Sequence, residues 1–325
     1  MIAYILRRLL YAVPIVLGVN VLTFVLFFVV NTPDDMARMF LGEKRVTPEQ
    51  IEQWKAERGY DKPLFYNPRA QGLKRFTETI FAEKSLGLFL FDFGKSDSGR
   101  DIGQDIRTRM WPSLAIAVPT LLVGLAFNIS LALLVVYLRG TALDTGAVVL
   151  TVALMSISSL FYIIGGQYVF GKLMRLVPIS GYEPGLDGLR FLVLPVAVGV
   201  ISGIGSGTRW YRTLFLEEMG KDYVRTARAK GLSEAVVLFR HVLRNALIPI
   251  LTGVVVILPL LFLGSLIIES FFGIPGLGSY TIEAINRQDF AIVRAMVFLG
   301  TVLYILGLLL TDISYTLVDP RVRLQ

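Results

Sequence analysis

The stretch DYVRTARAKGLSEAVVLFRHVLRNALIP, residues 222–249, sits between two apolar runs and interleaves basic with apolar residues. Ser233 is placed to cap a helix starting at Glu234, on which Val236, Phe239, Leu243 and Leu247 recur at helical spacing while Arg240 and Arg244 fall elsewhere. Upstream, Ala227, Ala229 and Gly231 are small, and small residues let a backbone approach a neighbour closely. Glycine also ends helices at a positive φ that other residues tolerate badly. The stretch therefore reads as helix, glycine break and second helix. By composition alone, it can equally be a solvated loop whose arginines hold it on the cytoplasmic side of a membrane.

The flanking sequence makes a membrane the relevant solvent. Of the 325 residues 54% are hydrophobic, with mean hydropathy +0.64, no cysteine and a single histidine. A bilayer core of about 30 Å needs roughly 20 apolar residues per helix. Six such spans are expected, near residues 9–30, 113–137, 147–170, 191–211, 247–271 and 292–314. The first follows Arg7 and Arg8, is too long for a signal-peptide core and has no small-residue cleavage site after it, so it is expected to remain as an anchor. Lack of cysteine excludes disulfides and cysteine metal sites. The net charge of +7 reports topology rather than nucleic-acid binding, because lysine and arginine in short loops mark the cytoplasmic side. Arg209, Arg212, Lys221, Arg225, Arg228, Lys230, Arg240 and Arg244 cluster around the opening stretch, and Arg321 and Arg323 lie in the tail. The short loops of opposite parity carry only Lys172, Arg175, Arg190 and Arg287. Both termini are thus expected in the cytoplasm.

The expected organisation is a first helix within 1–31, an extracytoplasmic loop with short helices over 32–112, and a five-helix core over 113–325 with its cytoplasmic loop at about 213–246. In the outer loop, Thr47, Pro48 and Gln50 form a capping box that predicts a helix from Pro48 to about Arg58, closed by Gly59, with Ile51 and Trp54 on its apolar side. A second helix is expected over 73–81, with Leu73, Phe76 and Ile80 on one face. There is no solenoid-type repeat and no low-complexity tract.

Signatures of resident chemistry fail on spacing. Gly94, Lys95 and Ser96 suggest a phosphate loop, but the required earlier glycine position holds Phe89, and Gly87 lies two residues too early. His241 is the sole histidine, so no zinc-site spacing exists. Ion-coupled carriers keep ionisable groups near the midplane. Here Glu269 and Asp312 fall near span ends, and Asn128 is the main polar residue deep in a span, where interfacial solvation or helix–helix hydrogen bonds account for them. Gly165, Gly166, Gly203, Gly205 and Gly207 suit close helix packing, or hinges.

The order of residues in 222–249 resembles the cytoplasmic coupling loop of permease subunits from dipeptide/oligopeptide-family ABC importers. Similar landmarks run along the chain: ILRRLLYAVPIVLGV, GYDKPL, IRTRMWPSLAIAV, LMRLVPISGY, ESFFGIPGLGSYTIEAINRQDF and YTLVDPRVR, together spanning residues 5–323. In these landmarks the chain resembles the B-type permease of that family. The resemblance implies an all-α integral membrane protein of six transmembrane helices, a type I importer permease in a bacterial cytoplasmic (inner) membrane. It implies a second homologous permease, two ATPase subunits that bind ATP and Mg, and an extracytoplasmic substrate-binding protein as partners, with no cofactor or metal in this chain. Ala227 and Gly231 match the family's loop alanine and glycine, and Asp222, Tyr223, Arg228 and Lys230 flank them as the implied ATPase-coupling residues. Arg225 and Thr226 replace the glutamate and alanine of the general importer pattern, and Pro33, Asp34 and Asp35 stand where the family has a proline-glycine-aspartate turn. The alternative is an ion-coupled secondary transporter. The cargo is not encoded in any motif of the chain, and no catalytic residue is expected.

Overall fold

The computed structural model describes residues 2–42 and 46–318, so the tail charges Arg321 and Arg323 lie outside the described residues. The chain runs through α1 (Ile2–Val25), α2 (Pro33–Leu41), α3 (Pro48–Arg58), α4 (Ile102–Tyr137), α5 (Ala142–Ser156) and α6 (Ser159–Gly166). It continues through α7 (Leu189–Met219), α8 (Asp222–Ala229), α9 (Leu243–Ile257), α10 (Leu266–Phe272), α11 (Leu277–Asn286) and α12 (Phe290–Val318). Apart from one isolated antiparallel bridge between Lys95 and Asp101, the regular structure of the described residues is helical.

Five helical segments are long and apolar enough to cross a membrane: Arg7–Val30, Ile102–Tyr137, Leu186–Met219, Glu234–Leu263 and Phe290–Ser314. The third expected span is broken. Ala142–Ser156 and Ser159–Leu173 meet at a bend of 85°; counted as one broken span they bring the crossings to six. Serines supply what the lost helical bonds leave open: Ser158 accepts from the Leu160 amide at 3.4 Å, Ser156 donates to the Val152 carbonyl at 2.9 Å, and Tyr162 reaches across the break to the Leu154 carbonyl at 2.9 Å. The fifth span also differs from the expected 247–271. It begins at Glu234 and ends at Leu263, because Gly264 turns the chain at φ +67° and Ser265 caps a separate α10, accepting from the Ile268 amide at 3.3 Å.

The chain divides into two compact units. The first comprises the described parts of Met1–Arg109 and Tyr280–Leu309. Its core joins the end of α1 to the short helices that follow: Phe24, Phe28, Met36, Ile51, Trp54, Tyr60 and Ile80 are all buried. Two capping boxes set those helices, Thr32 with Asp35 and Thr47 with Gln50, each followed by proline in the first turn. α3 spans Pro48–Arg58 and stops at Gly59 with φ +68°, as the sequence predicts, with Ile51 and Trp54 turned inward. Pro33 opens α2 rather than a turn.

The expected helix over 73–81 is not continuous. Lys74–Thr77 is helical, the chain breaks at Glu78 and Thr79, and a new helical run begins at Ile80; Leu73 and Phe76 are exposed, and Ile80 alone of the three is buried. The Ile80 and Phe81 amides instead donate to the carbonyls of Pro63 and Leu64, each at 3.0 Å, a pairing that local periodicity cannot announce. Arg58 closes the unit over its aromatics, 4.5 Å from the Trp54 ring centre, while its Nε donates to Asp97 at 2.9 Å.

The second unit comprises Met110–Ser279 and the described part of Leu310–Arg323. Close packing here uses missing side chains. A Cβ on Gly205 would lie 2.6 Å from the Thr151 carbonyl oxygen, one on Gly207 2.6 Å from Nδ2 of Asn128, and one on Gly166 3.0 Å from a Val198 methyl. Gly165 and Gly203 face open space. Asn128 is buried and accepts from the Thr208 hydroxyl at 3.1 Å, a helix–helix hydrogen bond of the expected kind.

Candidate coupling site

The site is built on α8. Val224 and Ala227 point inward, both buried in a core with Ala132, Leu133, Phe215, Val237, Leu238, Val242 and Ala246. Their neighbours Asp222, Arg225, Thr226, Arg228 and Ala229 are exposed, so α8 is anchored on one side and presents a polar face on the other. Tyr223 is half-buried, and its hydroxyl donates to Glu218 at 2.6 Å. Burial, then the neighbouring carboxylate, raise the Tyr223 pKa, so the phenol stays protonated as a donor.

The helix ends in a Schellman turn. The Gly231 amide donates to the Arg228 carbonyl at 2.9 Å and the Leu232 amide to the Ala227 carbonyl at 3.4 Å, with Gly231 at φ +79°. A Cβ at Gly231 would touch nothing within 4 Å. What the position demands is therefore the backbone conformation, and any larger side chain would project outward. Across the turn, Arg228 grips Glu234 with two parallel bonds of 2.7 and 3.0 Å.

Of the residues singled out in the sequence, Asp222, Arg228, Lys230 and Gly231 form one exposed edge, Tyr223 is half-buried beside it, and Ala227 lies beneath it. The second helix begins at Glu234 as expected, but Ser233 makes no side-chain cap bond. Its buried stripe is Val237, Leu238, Val242, Ala246 and Ile250, while Val236, Phe239 and Leu247 are exposed. The cause is a π-helical segment over Val237–Val242, whose wider turn shifts the register away from the 3.6-residue period. Phe239, 60% exposed beside the basic residues, and the Glu234 clamp were not legible in the sequence pattern.

A second polar centre lies in the same unit. Glu269 is 1% exposed, so interfacial solvation does not describe it. Its carboxylate accepts from the amides of Ser265 at 3.2 Å and Ser279 at 3.0 Å, and from the Ser113 hydroxyl, which also accepts from the Leu277 amide at 2.8 Å. Gly264 and Gly276 flank the carboxylate, and a Cβ on either would collide with it. Glu269 is thus the staple that folds the FGIPGLGS segment back onto α4.

Comparison with known proteins agrees with this architecture. The family described as binding-protein-dependent transport system inner membrane component matches residues 129–324, which include the whole coupling site. The N-terminal model for membrane components of such systems matches residues 1–89. A putative peptide transport system permease protein of Brucella abortus (strain 2308) is 35% identical over 329 residues, covering 99% of each chain. The dipeptide transport system permease protein DppB of Escherichia coli (strain K12) is 30% identical over 351 residues, again covering 99% of each. The di/tripeptide transport system permease protein DppB of Pseudomonas aeruginosa (strain UCBPP-PA14) is 30% identical over 350 residues and the full length of both chains. With a family match across most of the chain, relatives aligned end to end and five to six membrane-crossing helices, this protein belongs to the family of binding-protein-dependent transport system inner membrane components.

Proposed function

We propose that the chain is one permease subunit of an ATP-driven importer of peptides or similar small solutes. The observation that carries this reading is the exposed edge of α8 and the Gly231 turn, held rigidly from beneath by Val224 and Ala227. In this reading Asp222, Arg228, Lys230 and Gly231 meet an ATPase subunit, while Tyr223 and Ala227 position that edge. Two ATPase subunits bind ATP and Mg, a second homologous permease completes the pathway, and an extracytoplasmic binding protein delivers cargo. Closure of the ATPases shifts the permease pair between inward-open and outward-open states. The purified chain alone is expected to hydrolyse no ATP. Activity should appear when the ATPase subunits and second permease are added in liposomes, and rise further with loaded binding protein. Proton-driven uptake by this chain alone, without ATP, would instead establish the ion-coupled carrier.

The same proposal fixes orientation: both termini and α8 in the cytoplasm, residues 31–101 outside. Leu186 is 85% exposed and Ser233 is also exposed, so each suits labelling in a chain without native cysteine. In intact cells, with the outer membrane permeabilised where one exists, an impermeant thiol reagent should modify Leu186→Cys and spare Ser233→Cys. The opposite pattern would invert the topology.

A further inference from the structure

The first unit contains a cavity of about 610 Å³ whose lining includes Tyr60, Lys84, Asp92, Asp97 and Arg294, a size within the range of small-molecule sites. Arg294 is only 6% exposed. Its Nε donates to the Phe290 carbonyl at 3.3 Å and its guanidinium lies 4.6 Å from the centre of the Phe28 ring, but its buried Nη1 has no hydrogen-bond partner among the described residues. Lys84 is half-buried beside it, 5.5 Å from the Tyr60 ring centre. Burial, and then the positive charge of Arg294, hold the Lys84 amine below the usual lysine range. Of the other cations nearby, Arg58 is joined to Asp97 at 2.9 Å and Lys62 to Glu83, while Lys95 on the same wall makes no ion pair among the described residues. Neither Arg294 nor Lys84 forms an ion pair among the described residues.

Two neighbouring cations withdrawn from water, neither held in an ion pair, are costly, and their mutual repulsion adds to a cost that Glu83, Asp92, Asp97 and Asp289 nearby offset only in part. An anion entering the cavity relieves both terms at once. Because Arg294 is more than nine-tenths buried, a solute small enough to enter whole reaches it more readily than an acidic side chain tethered to a folded partner. Glu57 and Asp92, also on the wall, offer the opposite charge to an amino group. We propose that this cavity binds the carboxylate of a short peptide or similar small zwitterion, with Arg294 and Lys84 as its counter-charges. That the solute is a peptide rests on the importer reading above, whereas the demand for a carboxylate rests on the cavity alone.

The test is calorimetric titration of the purified full-length chain in nanodiscs, with no ATPase present, so that the outcome does not depend on ATP coupling. Dialanine is expected to bind, its C-terminal amide to bind at least about tenfold more weakly, and Arg294→Gln and Lys84→Gln to weaken dialanine by a similar factor, the loss of one charge-assisted contact. Thermal unfolding of both variants separates lost binding from lost fold. Lys84→Gln decides the matter if Arg294→Gln does not fold, since Lys84 is only half-buried. Absence of dialanine binding, equal binding of the amide, or unchanged affinity in the folded variants overturns the proposal. So does an effect of the variants confined to docking of a binding protein.

Discussion

Glu269→Ala is expected to lower the stability of the purified chain by about 3 kcal/mol or more, because it strands two buried backbone amides and a hydroxyl. Glu269→Gln should cost less, since its carbonyl oxygen still accepts while its amino group faces donors. Gly276→Ala should be comparably damaging for a different reason, as the added methyl collides with the same carboxylate. Combining Gly276→Ala with Glu269→Ala removes that collision, so the double variant should lose less than the sum of the two. Thermal melting in detergent, alongside the amount of chain in the membrane, reads all four. Strict additivity would show that the two positions do not share one packed site.

Gly231→Trp is expected to abolish ATP-driven uptake while leaving membrane insertion intact. Two effects are separable here. Any side chain at φ +79° carries strain of about 1–2 kcal/mol, and a large one also projects into the open space in front of the turn. Asparagine tolerates the left-handed region better than most residues, so Gly231→Asn should retain much of the uptake. Gly231→Ala should fall between the two, carrying strain with little bulk. Normal uptake by Gly231→Trp in reconstituted vesicles would sink the docking role, and equal loss in all three variants would assign the effect to the turn rather than to a partner.

What could be read in the sequence was what neighbouring residues decide among themselves. α3 lies where Thr47, Pro48, Gln50 and Gly59 place it, because a capping box and a left-handed stop act within one turn. The apolar runs announced their crossings for the same reason. Hydropathy averaged over a span, however, does not register a bend between two apolar halves, so the serine-mediated break after Ser156 was invisible. The stripe on the helix after Gly231 was misplaced because the period itself changes through Val237–Val242. For the candidate site, exposure of Asp222, Arg228, Lys230 and Gly231 followed from polarity, whereas the inward turn of Ala227 depended on a core assembled from distant helices. Glu269 reads as a charge near the end of an apolar run, and nothing in the pattern singles out Arg294. Their burial follows only from segments that return to them from far along the chain.

The Schellman turn at Gly231 has a mechanical consequence. Both of its bonds are main-chain bonds within a six-residue loop, and the Arg228–Glu234 grip spans the same corner from outside. Such a joint has little slack: displacement applied at α8 is passed through the corner to the helix beginning at Glu234 instead of being spent on bending it. Compliance would have to reside elsewhere, and the serine-lined break between α5 and α6, where the helical ladder is interrupted, offers one such place.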